Sequence, residues 1–276
     1  MSLRYCMSRF FLARLFAVSS LAVSLTACGP HPEKVCQFVR IETCPSLWTD
    51  NHTRVQNFLK DRPYLSNGLN RPEYLIPGKE VTENHVESFI GEFPETLREA
   101  QSWKASVLAA GAQEFQTRLK KSTSLLAKMH GRFSEGFTLD RVNDVVGVRA
   151  VTKTLTEQSR IVEWIYLNFD IVVHLDYVAR EIKEDGYRAH HFTVRALTGR
   201  LVEFQVMTQN QLAFSNFTHD RIYKAADNSM KSNPEVKAYL RALGEALYQQ
   251  DLGRSGVTIL LPTPPDLLVA QHLLFE

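Results

Sequence analysis

Residues 201–208 read LVEFQVMT, and their alternation decides how the chain folds. Val202, Phe204 and Val206 point to one side of an extended strand, while Leu201, Glu203, Gln205 and Met207 point to the other. A carboxylate in the middle of an apolar, β-prone run is the feature to explain. Burying Glu203 unpaired is costly, so it needs a cation, a metal or an ordinary solvated face.

Working outward, DVVGVRAV (144–151), DIVVHLDYV (170–178) and HHFTVRAL (190–197) also read as strands. Between the first two, LTEQSRIVEWIYLN (155–168) has helical spacing at Ile161, Val162 and Ile165, continued by Phe169, which makes a β-α-β unit. TGR (198–200) joins the last two strands and signals a hairpin. A three-residue loop there puts His191 and Glu203 on one face; a two-residue loop puts them on opposite faces.

Helical spacing dominates from about 82 to 130, with Phe89, Phe93 and Leu97 four apart and then Trp103 and Val107. A loop around GRFSEGFT (131–138) ends that region. NQLAFSNFTHDRIYK (210–224) and residues 233–250, with a stripe of Val236, Tyr239, Leu240, Leu243 and Leu247, read as helices. Residues 28–81 are punctuated by proline and read as a tether followed by irregular structure, and LPTPPDLL (261–268) as a tail along the surface. The fold class is α/β, with one domain over 82–250.

Composition fits a folded globular chain: 276 residues, 44% hydrophobic and 22% charged, with a formal charge of +2. The first 27 residues read as an export signal. Arg4, Arg9 and Arg14 precede an apolar run of 11, Leu15 to Leu25, too short for the roughly 20 residues that span a bilayer. Leu25-Thr26-Ala27-Cys28 resembles the lipobox of bacterial lipoproteins, which implies cleavage before Cys28 and a lipid on it. Gly29 after the cysteine resembles the outer-membrane default. The alternatives are a signal anchor or an ordinary cleavage site. Cleavage removes three of 32 basic residues and none of 30 acidic ones, leaving −1, so composition does not indicate a strongly basic nucleic-acid binder. Cys36 and Cys44 remain as a disulfide or as two free thiols.

Four segments carry candidate chemistry. TRLKKSTSLLAKMH (117–130) gathers Arg118, Lys120, Lys121 and Lys128 with hydroxyls between them, which suits a polyphosphate or a solvated helix face. Asp144 opens its strand where a carboxylate can hold Mg²⁺, Gly147 permits close approach, and Arg149 is a phosphate ligand or a partner for a buried acid. In KEDGYRAHH (183–191), Lys183, Tyr187 and His191 recur every four residues around an Asp185-Gly186 turn, offering a flat ring for a base and two polar groups, or a rim tyrosine. Glu203 is the fourth.

Their joint order, RLKKSTSLLAKM, DVVGVR, KEDGYRAHH, VEFQVMT and HDRIYK, resembles the RelA/SpoT synthetase domain of small alarmone synthetases, over about residues 85–250. The resemblance implies a nucleotidyltransferase-like mixed β-sheet flanked by helices. It implies transfer of the β,γ-pyrophosphoryl group of ATP to the 3′-hydroxyl of GDP or GTP, with Mg²⁺ as cofactor. It gives Asp144 and Glu203 as metal ligands, with Glu203 also activating the hydroxyl, and Arg118, Lys120 and Lys128 as cations around ATP. By the same resemblance Tyr187 matches the ring that stacks on guanine, Lys183 and His191 match acceptor-side groups, and His219, Tyr223 and Lys224 match a closing helix of more structural role.

The sequence departs from the family pattern at Met207 (arginine there), Ala189 (serine) and Asp185 (asparagine), and 176–186 is one residue longer. Met207 leaves a positive neighbour of Glu203 missing. An export signal also sits oddly with a nucleotide substrate. Three functions follow: an active pyrophosphokinase, including toxic forms that act on tRNA 3′ ends or adenine nucleotides; a silent nucleotide-binding lipoprotein; and a structural envelope protein.

Overall fold

The computed structural model describes residues 65–132, 137–180, 183–223, 229–253, 261–270 and 273–275. The signal, the lipobox-like segment, Cys36, Cys44 and Lys224 lie outside the described residues. In chain order the longer elements are α1 (Glu83–Ile90), α2 (Pro94–Ser102), α3 (Lys104–Ala109), β1 (Glu114–Leu119), α4 (Ser122–Arg132), β2 (Val146–Thr152), α5 (Leu155–Asn168), β3 (Asp170–Asp176), β4 (His190–Arg195), β5 (Leu201–Thr208), α6 (Gln209–Phe217) and α7 (Pro234–Asp251).

The strands form one mixed sheet in the order β1-β2-β5-β4-β3. Only β2 and β5 pair in parallel; the other three pairings are antiparallel. The sheet with its flanking helices is the α/β architecture expected. The β4–β5 hairpin closes on the Ala196–Arg200 pair, with Gly199 at φ +81 in the turn. This is a three-residue loop, one position earlier than TGR, and its even register puts His191 opposite Gln205 and Thr193 opposite Glu203.

One expectation is corrected. The helical stretch from 82 to 130 is interrupted by β1, whose Phe115, Thr117 and Leu119 face inward while Glu114, Gln116 and Arg118 are exposed. An edge strand with a polar outer row has little apolar signal of its own, and charges along it also guard the edge from other chains. Arg118 therefore projects from a strand, not from a helix.

One face of the sheet carries the main core. Phe204, Val206, Phe192, Val148 and Ala150 are buried there with Val107 and Ile161 from the helices. Trp103 lies parallel to Phe204, with ring centroids 6.3 Å apart and planes within 4°. Burial of a side chain such as Phe204 contributes about 2–3 kcal/mol. Helix α5 starts in a capping box, Thr154 accepting from the Glu157 amide and Glu157 from that of Thr154, and ends where Phe169 turns extended.

The segment 65–81, read as irregular, has only two 3₁₀ turns but supplies Leu69, Tyr74 and Val81 to this core. Asn67 ties it to the sheet: its amide donates to the carbonyls of Asp140 and Val142, both at 2.8 Å, and its oxygen accepts from Leu201 N–H at 2.9 Å. Helices α6 and α7 build a second cluster, into which the tail inserts Leu268.

Candidate active site

The other face of the sheet explains the carboxylate in β5. Leu201 at one end packs with Leu65 and Val173; Met207 at the other packs with Val151 and Ala189. Between these apolar ends lie Glu203 and Gln205, beside Gly147 and Arg149 on β2 and Thr193 and His191 on β4. The parallel register of β2 and β5 brings together residues more than fifty positions apart, and Asp144 lies two residues before β2.

Both oxygens of Glu203 are engaged. Oε1 lies 3.4 Å from His191 Nδ1, and Oε2 accepts from Gln205 Nε2 at 3.0 Å. The Gln205 oxygen in turn accepts from Nε and Nη2 of Arg149, each at 3.3 Å. Burial pushes the Glu203 carboxyl up, but His191 more than offsets this and holds it below the ordinary glutamate value; the charge of Asp144 opposes and that of Arg118 assists. Asp144 and Glu203 thus sense each other across the site.

Asp144 is held by two lysines on one oxygen: Lys120 Nζ at 2.7 Å and Lys128 Nζ at 2.9 Å from Oδ2. Burial raises its pKa, yet Lys128 and Lys120 bring it below the usual aspartate value. Among the described residues its Oδ1 is buried with no hydrogen-bond partner. Lys120 directly follows β1, so the missed strand sets its reach, while Lys128 sits on α4. Arg118, two residues before Lys120, covers Gly147: a Cβ there would come within 3.0 Å of Arg118 Nε.

On the opposite flank, Tyr187 Oη lies 2.7 Å from His191 Nε2, completing a chain from Tyr187 through His191 to Glu203. Burial pushes the Tyr187 phenol well up, so it stays protonated. Lys183 Nζ lies 4.4 Å over the Tyr177 ring and 4.6 Å over that of Tyr187. Gly186 adopts φ +79 and packs backbone to backbone on α7, where a Cβ on Gly244 would run into the Gly186 carbonyl. Asp185 Oδ1 accepts from Tyr187 N–H at 3.1 Å, a turn contact that asparagine would make equally.

All eight sequence-derived site residues therefore lie along one stretch of the sheet face and its rim: Arg118, Lys120, Lys128 and Asp144 on one flank, Glu203 and His191 at the centre, Tyr187 and Lys183 on the other. His219 is exposed and pairs with Asp220 at 3.0 Å, apart from this group of contacts. Sequence reasoning left out Gln205 and Tyr177 and left Arg149 open. Gln205 was findable two positions after Glu203 on the same face. Arg149 needed the register: it supplies the positive charge near Glu203 that Met207 does not. Met207 and Ala189, two of the departures, share one fully buried apolar cluster, so each suits the other.

A divalent ion fits these residues. The buried, unpartnered Asp144 Oδ1 is an oxygen awaiting a ligand, and Glu203 is a second ionised carboxylate within electrostatic reach. Among the described residues no three His, Cys, Asp or Glu side chains gather to hold a metal. Two carboxylates with phosphate and water completing the shell is the manner of Mg²⁺.

The family model described as the region found in RelA / SpoT proteins matches residues 117–228, which spans this whole constellation. Over those residues the chain's domain is similar to the RelA / SpoT region. The domain is 28% identical over 145 residues to the GTP pyrophosphokinase rsh of Brucella melitensis, covering 49% of this chain and 19% of that one. It is 27% identical over 208 residues to the guanosine-3′,5′-bis(diphosphate) 3′-pyrophosphohydrolase of Aquifex aeolicus, covering 73% of this chain and 25% of that one. The chain thus spans a quarter or less of the length of these relatives. Small alarmone synthetase 1 of Bacillus subtilis shares the fold, with a TM-score of 0.50 and 22% identity over 61% of this chain and 93% of that chain. Its complex with its product pppGpp gives 0.51 and 21%, over 62% and 95%.

Proposed function

We propose that the chain is a pyrophosphokinase that transfers the β,γ-pyrophosphoryl group of ATP to the 3′-hydroxyl of GDP or GTP, giving (p)ppGpp. The observation that supports this reading is that the charge of Asp144 reaches Glu203 on the sheet face, with the cations Lys120 and Lys128 around Asp144 and the Tyr187 ring bonded to His191 beside Glu203.

Phosphoryl transfer asks a protein mainly to align two substrates and offset charge. Arg118, Lys120 and Lys128 receive the triphosphate of ATP. Tyr187, with Lys183 and His191, receives the acceptor nucleotide. The acceptor 3′-oxygen attacks the β-phosphorus; a P–O bond forms there, the bond to the α,β-bridging oxygen breaks, and AMP leaves. Glu203, kept ionised chiefly by His191, takes the hydroxyl proton. Mg²⁺ held by Asp144 and Glu203 would supply charge neutralisation on the transferring phosphates.

The product-bound relative from Bacillus subtilis and the GTP pyrophosphokinase of Brucella melitensis support this choice of chemistry. A second reading, a nucleotide-binding protein without turnover, draws on Met207, whose burial in an apolar cluster removes a charge expected at that position. We also propose, from Leu25 to Cys28, a lipid anchor on Cys28 at the cell envelope, with the outer membrane favoured.

The test is incubation of the purified chain with γ-labelled ATP, Mg²⁺ and, in turn, GDP, GTP, ATP or tRNA. Label in the guanosine product supports the proposal. Label on tRNA or the adenine nucleotide alone selects a toxic form instead. Nucleotide binding without transfer selects the silent module.

A further inference from the structure

The free site is neutralised from within. Asp144 Oδ2 is shared by two ammonium groups at 2.7 and 2.9 Å, and all three side chains are largely buried, with exposures of 14% for Asp144, 14% for Lys120 and 20% for Lys128. The Glu203 oxygens are taken by His191 and Gln205. A divalent cation arriving alone meets one unpartnered oxygen, Asp144 Oδ1, with two like charges beside it. At these separations in a partly dry site, like-charge repulsion is large. A triphosphate changes the balance, because its oxygens compete with Asp144 for the same lysines.

We propose that Lys120 and Lys128 form a counter-ion lock on Asp144, so that the metal binds only when a triphosphate draws the lysines off the carboxylate. The inference rests on the pyrophosphokinase reading and adds an order of binding to it. The two lysines act on two ligands with opposite sign: they hold nucleotide and repel metal. A lysine serving only to stabilise the fold would not divide its effects this way. The lock also keeps Asp144 ionised and positioned while the site waits for nucleotide.

The experiment is Mn²⁺ titration of the full, nucleotide-free chain, followed by the electron paramagnetic resonance of unbound Mn²⁺, with folding checked by circular dichroism. The lock predicts weak binding by the unaltered chain. Lys120→Met and Lys128→Met each tighten Mn²⁺ by roughly tenfold or more, the scale of removing a unit charge a few ångströms away. Lys128→Arg keeps the charge and gives no such gain, and adding Asp144→Asn to Lys128→Met abolishes it. Folded Lys→Met variants that bind Mn²⁺ no more tightly than the unaltered chain overturn the lock.

A second measurement avoids the lysine variants altogether. In EDTA, Asp144→Asn releases the lysines and tightens ATP by about tenfold; unchanged or weaker ATP binding overturns the lock. Failure of the unaltered chain to bind ATP even with Mg²⁺ would sink the pyrophosphokinase reading itself, and the lock with it.

Discussion

Glu203 stays charged inside the sheet face because each of its oxygens has a donor, and those donors are themselves held in place, His191 by Tyr187 and Gln205 by Arg149. Replacing Glu203 with glutamine keeps the shape and removes the proton acceptor. Transfer activity is expected to fall by roughly 10²–10⁴-fold, the usual contribution of a general base, with an unchanged melting temperature. Tyr187 is read as a stacking surface, so Tyr187→Ala should weaken acceptor binding by about 1–3 kcal/mol, and Tyr187→Phe by much less. Titration calorimetry with GDP separates the two. At this scale the sequence was informative where a side chain's type limits its use. A glutamate amid Val and Phe demands partners, and the alternation of LVEFQVMT placed it on the face away from the main core. The partners were hidden, because Gln205 and Arg149 acquire their roles only through the pairing of β2 with β5.

The elements show why some of the fold was legible and some was not. Strands β2, β4 and β5 are rich in β-branched and aromatic residues and announce themselves; β1 does not, since three of its six residues are exposed and polar. Its absence from the sequence reading left Arg118 and Lys120 on the wrong kind of element. The turn at Gly186 depends on α7 in a way no local pattern reveals. Gly244→Ala should push α7 off the Tyr187 turn and destabilise the protein by about 1–3 kcal/mol, the usual cost of overpacking, read as a lower melting temperature with weaker acceptor binding.

A pH effect belongs to the pair β3 and β4. On the core side, His174 stacks on Phe192 and its Nε2 lies 3.1 Å from His190 Nδ1, with Tyr166, Asp176 and Arg180 around them. Burial holds His190 down to about 4 against the pull of Asp176, and holds His174 well below the ordinary value, with the neighbouring charges adding to it. The unfolded chain binds protons near pH 6.5 while these folded rings do not, so their stabilisation is complete above that pH and falls as the pH drops toward 4. Each unit costs about 1.4 kcal/mol per histidine. Thermal melts between pH 7 and 5 should show the loss, and His190→Asn should remove roughly half of it.

Across the described residues, the apolar ends of the sheet face leave a polar strip between them where charged groups meet. That strip is drawn from segments between residues 118 and 205, a span no single motif covers. Among the described residues no helix is long and apolar enough to cross a membrane. The proposed anchor sits on Cys28: labelled palmitate should enter the chain during growth and be lost in Cys28→Ser, whereas equal labelling of both would refute it. The central claim is that Asp144 and Glu203 share one divalent cation beneath a bound triphosphate. Crystals of the chain grown with Mn²⁺ and a non-hydrolysable ATP analogue test it through the anomalous signal of the metal. The account predicts one peak within about 2.0–2.3 Å of an oxygen from each carboxylate and of the phosphates; a peak on one carboxylate alone, or away from both, would contradict it.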